Sequence, residues 1–378
     1  MKIMKTVMIV VNTSWNIYNF RLNLMHSLQS SGFRVIALAP RDDYSIKLKE
    51  EGFEWINLPF DNSSTNPLKE TMQIKYFHEI YKKVMPDIIL HYTIKPNIYG
   101  TLAAKWLNIP SINNVSGLGT IFLNNTLSSK VAKQLYKFSF RYANKVFFQN
   151  DDDLNLFIEN KLVSKKYTDR VPGSGIDIDK FKSNHNIQEE GDEIVFLFVA
   201  RLIREKGIKE YIEAIKMIKD MNLNKQVKFQ IIGDLYLSNP SAISQNELDS
   251  WISDDLIEYL GYQNDVKSFI EKSSCVVLPS YREGLSKSLL EAASMEIPII
   301  TTDVSGCRDV VEDGVNGYLC RVQDSDSLKE QFVKMIELSV DDREKMGQKG
   351  REKVINEFSD ERVIDKYLTS IHTILSDN

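Results

Sequence analysis

The chain has 378 residues, 43% of them hydrophobic and 26% charged, with a formal net charge of -5, a globular composition long enough for two or three domains. No apolar run approaches the roughly 18 residues of a membrane span, and three cysteines in so long a chain argue against a disulfide framework. The charge is uneven: residues 1–180 carry 23 basic and 16 acidic side chains, residues 181–378 carry 24 and 36, a split that suggests two domains facing different partners.

In chain order, residues 1–11 hold two lysines and a short apolar run without a small-residue cleavage site. They read as a first strand, over 6–11, and the expected location is cytoplasmic. Further strands are expected over 35–39, 55–58, 88–91, 111–115 and 146–149, with helices over 21–30, 44–51, 72–84, 98–107, 128–142 and 152–160. This alternation predicts a parallel, doubly wound sheet. Residues 173–193 are polar and irregular and read as an interdomain linker. The rhythm then restarts, with strands over 194–199, 227–232, 257–260, 276–278 and 299–301 and helices over 208–221, 266–272, 288–295, 327–336, 342–357 and 359–375. The expected architecture is α/β: two Rossmann-like domains, 1–180 and 181–358, with the helix of 359–378 returning to the first. Two such sheets imply a cleft between them as a ligand site.

The most informative stretch is Ser280-Tyr281-Arg282-Glu283-Gly284-Leu285-Ser286 followed by the helix that carries Glu291. It is a loop at the carboxyl end of an apolar strand, where open α/β sheets bind ligands. The first amides of the helix have no partner inside it, and the helix end favours an anion. Glu283 and Glu291 bracket the turn and can accept hydrogen bonds from sugar hydroxyls on either side of a diphosphate; the alternative is a solvated Glu283 and a helix-stabilising Glu291. Arg201 and Lys206, around the turn after the strand at 194–199, can converge on one anion, or be two exposed loop cations. Asp151, Asp152 and Asp153 imitate a metal motif but open a helix, and read as capping. The cysteines show no metal spacing.

Arg201-x4-Lys206, Gly233-Asp234, Glu283-Gly284-x6-Glu291 and Asp313-Gly314-Val315-Asn316-Gly317 together resemble family 4 of the retaining glycosyltransferases, over nearly the whole chain. The stretches 12–21, 91–97 and 173–177 are similar to the subgroup that builds capsules and lipid-linked oligosaccharides. The resemblance implies the two-domain GT-B fold, with the first domain on the acceptor side and the second on the donor side. It implies that Arg201 and Lys206 bind the diphosphate of a nucleotide sugar, that Glu283 lies near the transferred sugar and Glu291 on the ribose, that amides of Gly284, Leu285 and Ser286 add phosphate contacts, and that Gly233 edges the base pocket. No cofactor and no metal are implied, because two cations and helix amides can stabilise the leaving diphosphate. The implied donor is a UDP-sugar, an N-acetylhexosamine or hexose. The implied acceptor is a polyprenyl-diphosphate-linked sugar.

This chain departs from the family where many relatives carry a Gly pair in the first loop, which Asn16 occupies, and a His before Gly, where Ser116 stands. His91 can compensate or be a structural histidine; Arg21 and Lys95 are candidates for the acceptor phosphate. Between Asp87 and Asp151 there is no acidic residue, and Lys130, Lys133, Lys137 and Arg141 stripe one helix. That face suits an anionic membrane surface or is simply solvated. A peripheral place on the inner face of the cytoplasmic membrane is therefore expected, and no nucleic-acid partner. Other readings are a sugar-nucleotide epimerase of related fold, a transferase with a soluble acceptor and a non-catalytic sugar-nucleotide binder; a nicotinamide oxidoreductase is disfavoured because no Gly-x-Gly-x-x-Gly follows a strand.

Overall fold

The computed structural model describes residues 4–59, 67–118, 127–183, 193–221, 223–237 and 239–377. The chain divides into two units, Met1–Gly175 with Asp360–Asn378, and Ile176–Ser359. Of the expected linker, residues 184–192 lie outside the described residues.

In the first unit seven strands, β1 (Thr6–Val10), β2 (Arg34–Ala39), β3 (Glu54–Asn57), β4 (Ile88–Tyr92), β5 (Ser111–Val115), β6 (Lys145–Phe148) and β7 (Thr168–Arg170), form a parallel sheet in the order β3-β2-β1-β4-β5-β6-β7. The helices are α1 (Ser14–Ser30), α2 (Tyr44–Glu50), α3 (Pro67–Val84), α4 (Thr101–Trp106), α5 (Leu127–Ser139) and α6 (Asp151–Glu159). Every residue of β1 is buried. Val7 and Ile9 join the core under α1, while Met8 and Val10 join the core that includes Ala103, Tyr136 and Phe157. That two-sided burial is why the strand is an unbroken apolar run.

Helix α1 begins at Ser14 rather than 21, because the Thr13 hydroxyl accepts from the Asn16 amide (3.1 Å) and caps it. Helix α4 is preceded by a π-helical turn, Pro96–Gly100. Helix α5 stops at Ser139, short of the expected 142, where Phe140 turns into the core and the Tyr142 amide bonds back to Ser139 (3.0 Å). The three aspartates form the first turn of α6, capped by Asn150.

The second unit repeats the plan. Strands β8 (Glu193–Val199), β9 (Gln226–Ile232), β10 (Glu258–Tyr259), β11 (Cys275–Leu278), β12 (Ile299–Thr302) and β13 (Gly317–Cys320) run parallel in the order β10-β9-β8-β11-β12-β13. Its helices are α7 (Ile208–Lys219), α8 (Gln245–Ser253), α9 (Lys267–Glu271), α10 (Lys287–Ser294), α11 (Ser325–Glu337) and α12 (Val340–Glu357). The rings of Phe196, Phe229 and Phe332 pack together at 4.8–5.5 Å in its core. The unit begins at Ile176 rather than 181, since Ile176 and Phe181 pack into this core.

The last helix, α13 (Asp360–Ser376), belongs to the first unit. Val363, Tyr367 and Ile371 are buried in its core, and the Tyr367 hydroxyl accepts from Asn114 Nδ2 (3.0 Å). In each sheet the strand order reverses beside the first strand, at β1/β4 and at β8/β11. Loops leaving those strand ends diverge and open a crevice. Among the described residues no helix is long and apolar enough to cross a membrane.

Candidate active site

In the second unit the loops after β8 and β11 meet at the reversal point. The Tyr281 amide (2.9 Å) and Ser280 hydroxyl (3.0 Å) both donate to the Glu205 carbonyl. Gly207 lies in the left-handed region (φ 74°), and a Cβ there would overlap the Pro279 carbonyl oxygen. Only glycine permits both the turn and the approach. Gly207→Ala is therefore expected to destabilise the protein by about 2–4 kcal/mol, read as a lowered urea midpoint, with activity falling alongside.

This junction brings Lys206 onto Glu283, whose carboxylate takes the Lys206 ammonium as a hydrogen-bonded ion pair; the two side chains are 18% and 13% exposed. Arg201 takes another course. It is exposed, and its guanidinium carbon lies 5.0 Å from the centroid of the Tyr236 ring. One cation is thus charge-compensated and held at the Gly284 turn, and the other rests on an aromatic face.

Glu291 sits in the second turn of α10 and is 8% exposed. Burial pushes its carboxyl up to about 7, against the pull of Lys287 and Lys180 and with a further push from Asp265. The expectation of three available amides needs correction at Ser286. Its N–H donates to the Gly306 carbonyl (3.2 Å), and the Glu283 N–H donates to the Ser305 carbonyl (3.1 Å). Both are spent in fixing the turn on the loop after β12. Gly306 (φ 77°) lies so close beneath Glu283 and Gly284 that a Cβ would overlap the Glu283 carbonyl. Gly284 and Leu285 sit between these anchors, half-buried. Gly233 closes the end of β9, its carbonyl accepting from the Tyr259 hydroxyl (2.8 Å) and its amide donating to Gly261 (3.0 Å). Sequence reasoning missed Ser305, Gly306 and Tyr236. A glycine just past a strand is a signal for Gly306; nothing local marks Tyr236.

In the first unit the expected residues gather at the carboxyl ends of β1, β4 and β5. The Asn16 Oδ1 is buried without a partner. Arg21 is 5% exposed, its guanidinium 4.2 Å from the Tyr92 ring centroid, with Nη1 donating to Phe20 O (3.0 Å) and Nε unpartnered. Lys95 is half-buried at the start of the π-helical turn, after Thr93, which sits at φ 66°. Such a backbone is costly for a β-branched residue. Ser116 donates to Asn114 Oδ1 (2.9 Å).

His91 is not a sugar contact. It is wholly buried, with Nε2 on the Tyr81 hydroxyl (2.9 Å), Nδ1 on Asn113 Oδ1 (3.1 Å) and Gly100 packed against the ring. Burial lowers its basicity to about 3, so it stays neutral and structural. On α5, Lys130 is exposed, Lys133 and Lys137 are half-buried, and Phe138 is 49% exposed beside Tyr142 at 38% and the exposed Arg141.

Among the described residues no three His, Cys, Asp or Glu side chains gather as a metal site. Cys275, Cys307 and Cys320 are buried and free, and burial pushes the thiols of Cys307 and Cys320 up to about 12. Chemically, the second unit offers two cations, a turn fixed from three loops and two carboxylates, which suits a diphosphate flanked by hydroxyls.

Residues 179–353 match the family model described as glycosyl transferases group 1, and residues 6–150 the one described as glycosyl transferase 4-like. The chain is 28% identical, over 85% of its length and 87% of the relative's, to the N,N'-diacetylbacillosaminyl-diphospho-undecaprenol alpha-1,3-N-acetylgalactosaminyltransferase of Campylobacter jejuni. It is 25% identical, over 91% and 92%, to the UDP-Gal:alpha-D-GlcNAc-diphosphoundecaprenol alpha-1,3-galactosyltransferase of Escherichia coli. Among solved structures, a glycosyltransferase from Rickettsia africae superposes with a TM-score of 0.82 over 100% of both chains at 19% identity, a likeness of fold.

Proposed function

This chain is a glycosyltransferase with a 4-like first half and a group 1 second half, and from that premise we propose that it moves an N-acetylhexosamine or hexose from a UDP-sugar to a polyprenyl-diphosphate-linked sugar, with retention of configuration, in surface glycan assembly. The observation that carries this reading is the junction at the β8/β11 reversal, where Lys206, Glu283 and the Gly284 turn are held together with Glu291 below. The named relatives favour the acceptor class and the UDP carrier: both names carry a diphospho-undecaprenol acceptor and an alpha linkage, and one carries UDP-Gal.

In the proposed reaction the bond from the anomeric carbon to the β-phosphate oxygen breaks, and the electron pair leaves with UDP. Lys206 and Arg201 stabilise the charge that develops there, with the Gly284 and Leu285 amides beside them. The acceptor hydroxyl bonds to the anomeric carbon on the face the phosphate leaves, and its proton passes to the departing β-phosphate. Glu283 orients the transferred sugar, Glu291 the ribose, and Gly233 borders the base. Asn16, Arg21, Lys95 and Ser116 serve the acceptor side. No step requires a metal, so transfer is expected to proceed at an unchanged rate in EDTA; loss of turnover on chelation, restored by a divalent ion, would count against this scheme. Lys130 and Phe138 on α5, with Arg141 and Tyr142 in the turn after it, are outward and support a peripheral position on the inner surface of the cytoplasmic membrane.

The test is mass spectrometry of products from a panel of UDP-sugars offered with a polyprenyl-diphosphate sugar. A single added hexose or N-acetylhexosamine is expected. An altered UDP-sugar formed without any acceptor would replace the transferase reading with epimerisation.

A further inference from the structure

We propose that Tyr236 is a positioning residue for Arg201, its ring holding the guanidinium at the donor edge without cancelling its charge. The proposal rests on the donor-site reading above and assigns a role to a residue outside it. The guanidinium carbon stands 5.0 Å from the Tyr236 ring centroid, within reach of the ring's negative face. Among the described residues Arg201 has no carboxylate in ion-pair contact. Lys206, in the same loop, is compensated by Glu283. Arg201 therefore keeps its positive charge uncompensated at this edge.

The placement of Tyr236 is built in. The loop after β9 is stitched to the loop after β8 on both sides of the pair. Leu202 donates to the Asp234 carbonyl (2.9 Å), Arg204 to Ser241 (2.9 Å) and Ile243 back to Leu202 (3.0 Å), with Ile203 bridged to Ala242. Tyr236 itself lies at φ 45°, a conformation rare for a bulky residue, and its carbonyl closes a turn by accepting from the Asn239 amide (2.9 Å). The ring is 41% exposed and absent from the unit's core cluster, so packing does not account for it.

A carboxylate would hold Arg201 more firmly and would neutralise the group meant to receive the leaving phosphate. An aromatic face restricts the same long side chain, which otherwise loses much rotamer freedom when a ligand orders it, and leaves the full charge for the diphosphate. The hydroxyl is not needed for this.

The test is a double-mutant cycle read in kcat/KM for the UDP-sugar and in UDP affinity by calorimetry. Tyr236→Leu is expected to lower kcat/KM roughly three- to fivefold, and Tyr236→Phe to stay within about twofold of wild type. In an Arg201→Ala background Tyr236→Leu is expected to change neither readout. An equal loss in both backgrounds would mean that the ring touches the ligand or merely supports the loop, and would overturn the proposal. So would a Phe variant as impaired as the Leu variant. Arg201→Ala with wild-type activity and affinity removes the donor-site reading and this inference together. An impaired Arg201→Ala beside an unimpaired Tyr236→Leu removes the inference alone.

Discussion

Lys206→Ala is expected to lower kcat about 10²–10³-fold, with a smaller change in donor KM. The Lys206 side chain is only 18% exposed, and its ammonium lies at the turn between β11 and α10. In the proposed reaction a fixed charge there would act on the negative charge that grows as the diphosphate departs, more than on the donor's ground state. The substitution has a second cost. It leaves the Glu283 carboxylate, 13% exposed, without its counter-charge, and breaking such a pair from one side is worse than removing both. The double variant Lys206→Ala/Glu283→Gln should therefore regain thermal stability and regain no turnover. Near-normal kcat in Lys206→Ala would remove the residue from the catalytic set.

Glu291→Ala is expected to weaken UDP binding about 10- to 100-fold at pH 8. Its pH profile separates a ribose contact from a buried helix residue. Burial raises the carboxyl to about 7, and ribose hydroxyls donate to the ionised form. Affinity should therefore climb as pH rises towards 7 and level off above it. Glu291→Gln should flatten that part of the curve, while titration of the ligand's own phosphate persists in both proteins. For the ligand-free protein the sign is opposite. A carboxyl that holds its proton more tightly folded than unfolded contributes stability at low pH and loses it as pH rises to about 7. The wild type should melt at a lower temperature at pH 8 than at pH 6, with the difference reduced in Glu291→Gln. Wild-type UDP affinity in Glu291→Gln at pH 8 would leave the residue a structural role only.

The parallel sheets were legible because strands buried on both faces are apolar runs without alternation: β1 and β11 stand out on composition alone. The edge strands β7 and β13 were not, since Thr168–Arg170 is polar and half-buried and Gly317–Cys320 is short. Helix α8 was passed over although Ser244 and Glu247 form a capping box at its start; only Leu248 and Trp251 are buried along it, too few to show a period. The residue types that meet at the β8/β11 reversal stood out by spacing. Their pairings did not. Lys206 and Glu283 are 77 residues apart, and what joins them is a backbone contact at Gly207 that no local pattern encodes. His91 was open between a sugar contact and a structural histidine on sequence, and the Tyr81 and Asn113 side chains on its two nitrogens give it the structural place.

The first unit owes part of its core to α13, with Tyr367 wedged against Tyr92 and Phe147. A chain emerging from the ribosome thus assembles its halves out of order. Residues 176–359 are contiguous and can close as soon as they are made, whereas the portion synthesised first must wait, with an apolar flank uncovered, until Val363, Tyr367 and Ile371 have followed the whole second unit out. That interval is when this protein is most exposed to aggregation, and chaperone demand should fall on the segment that was translated earliest.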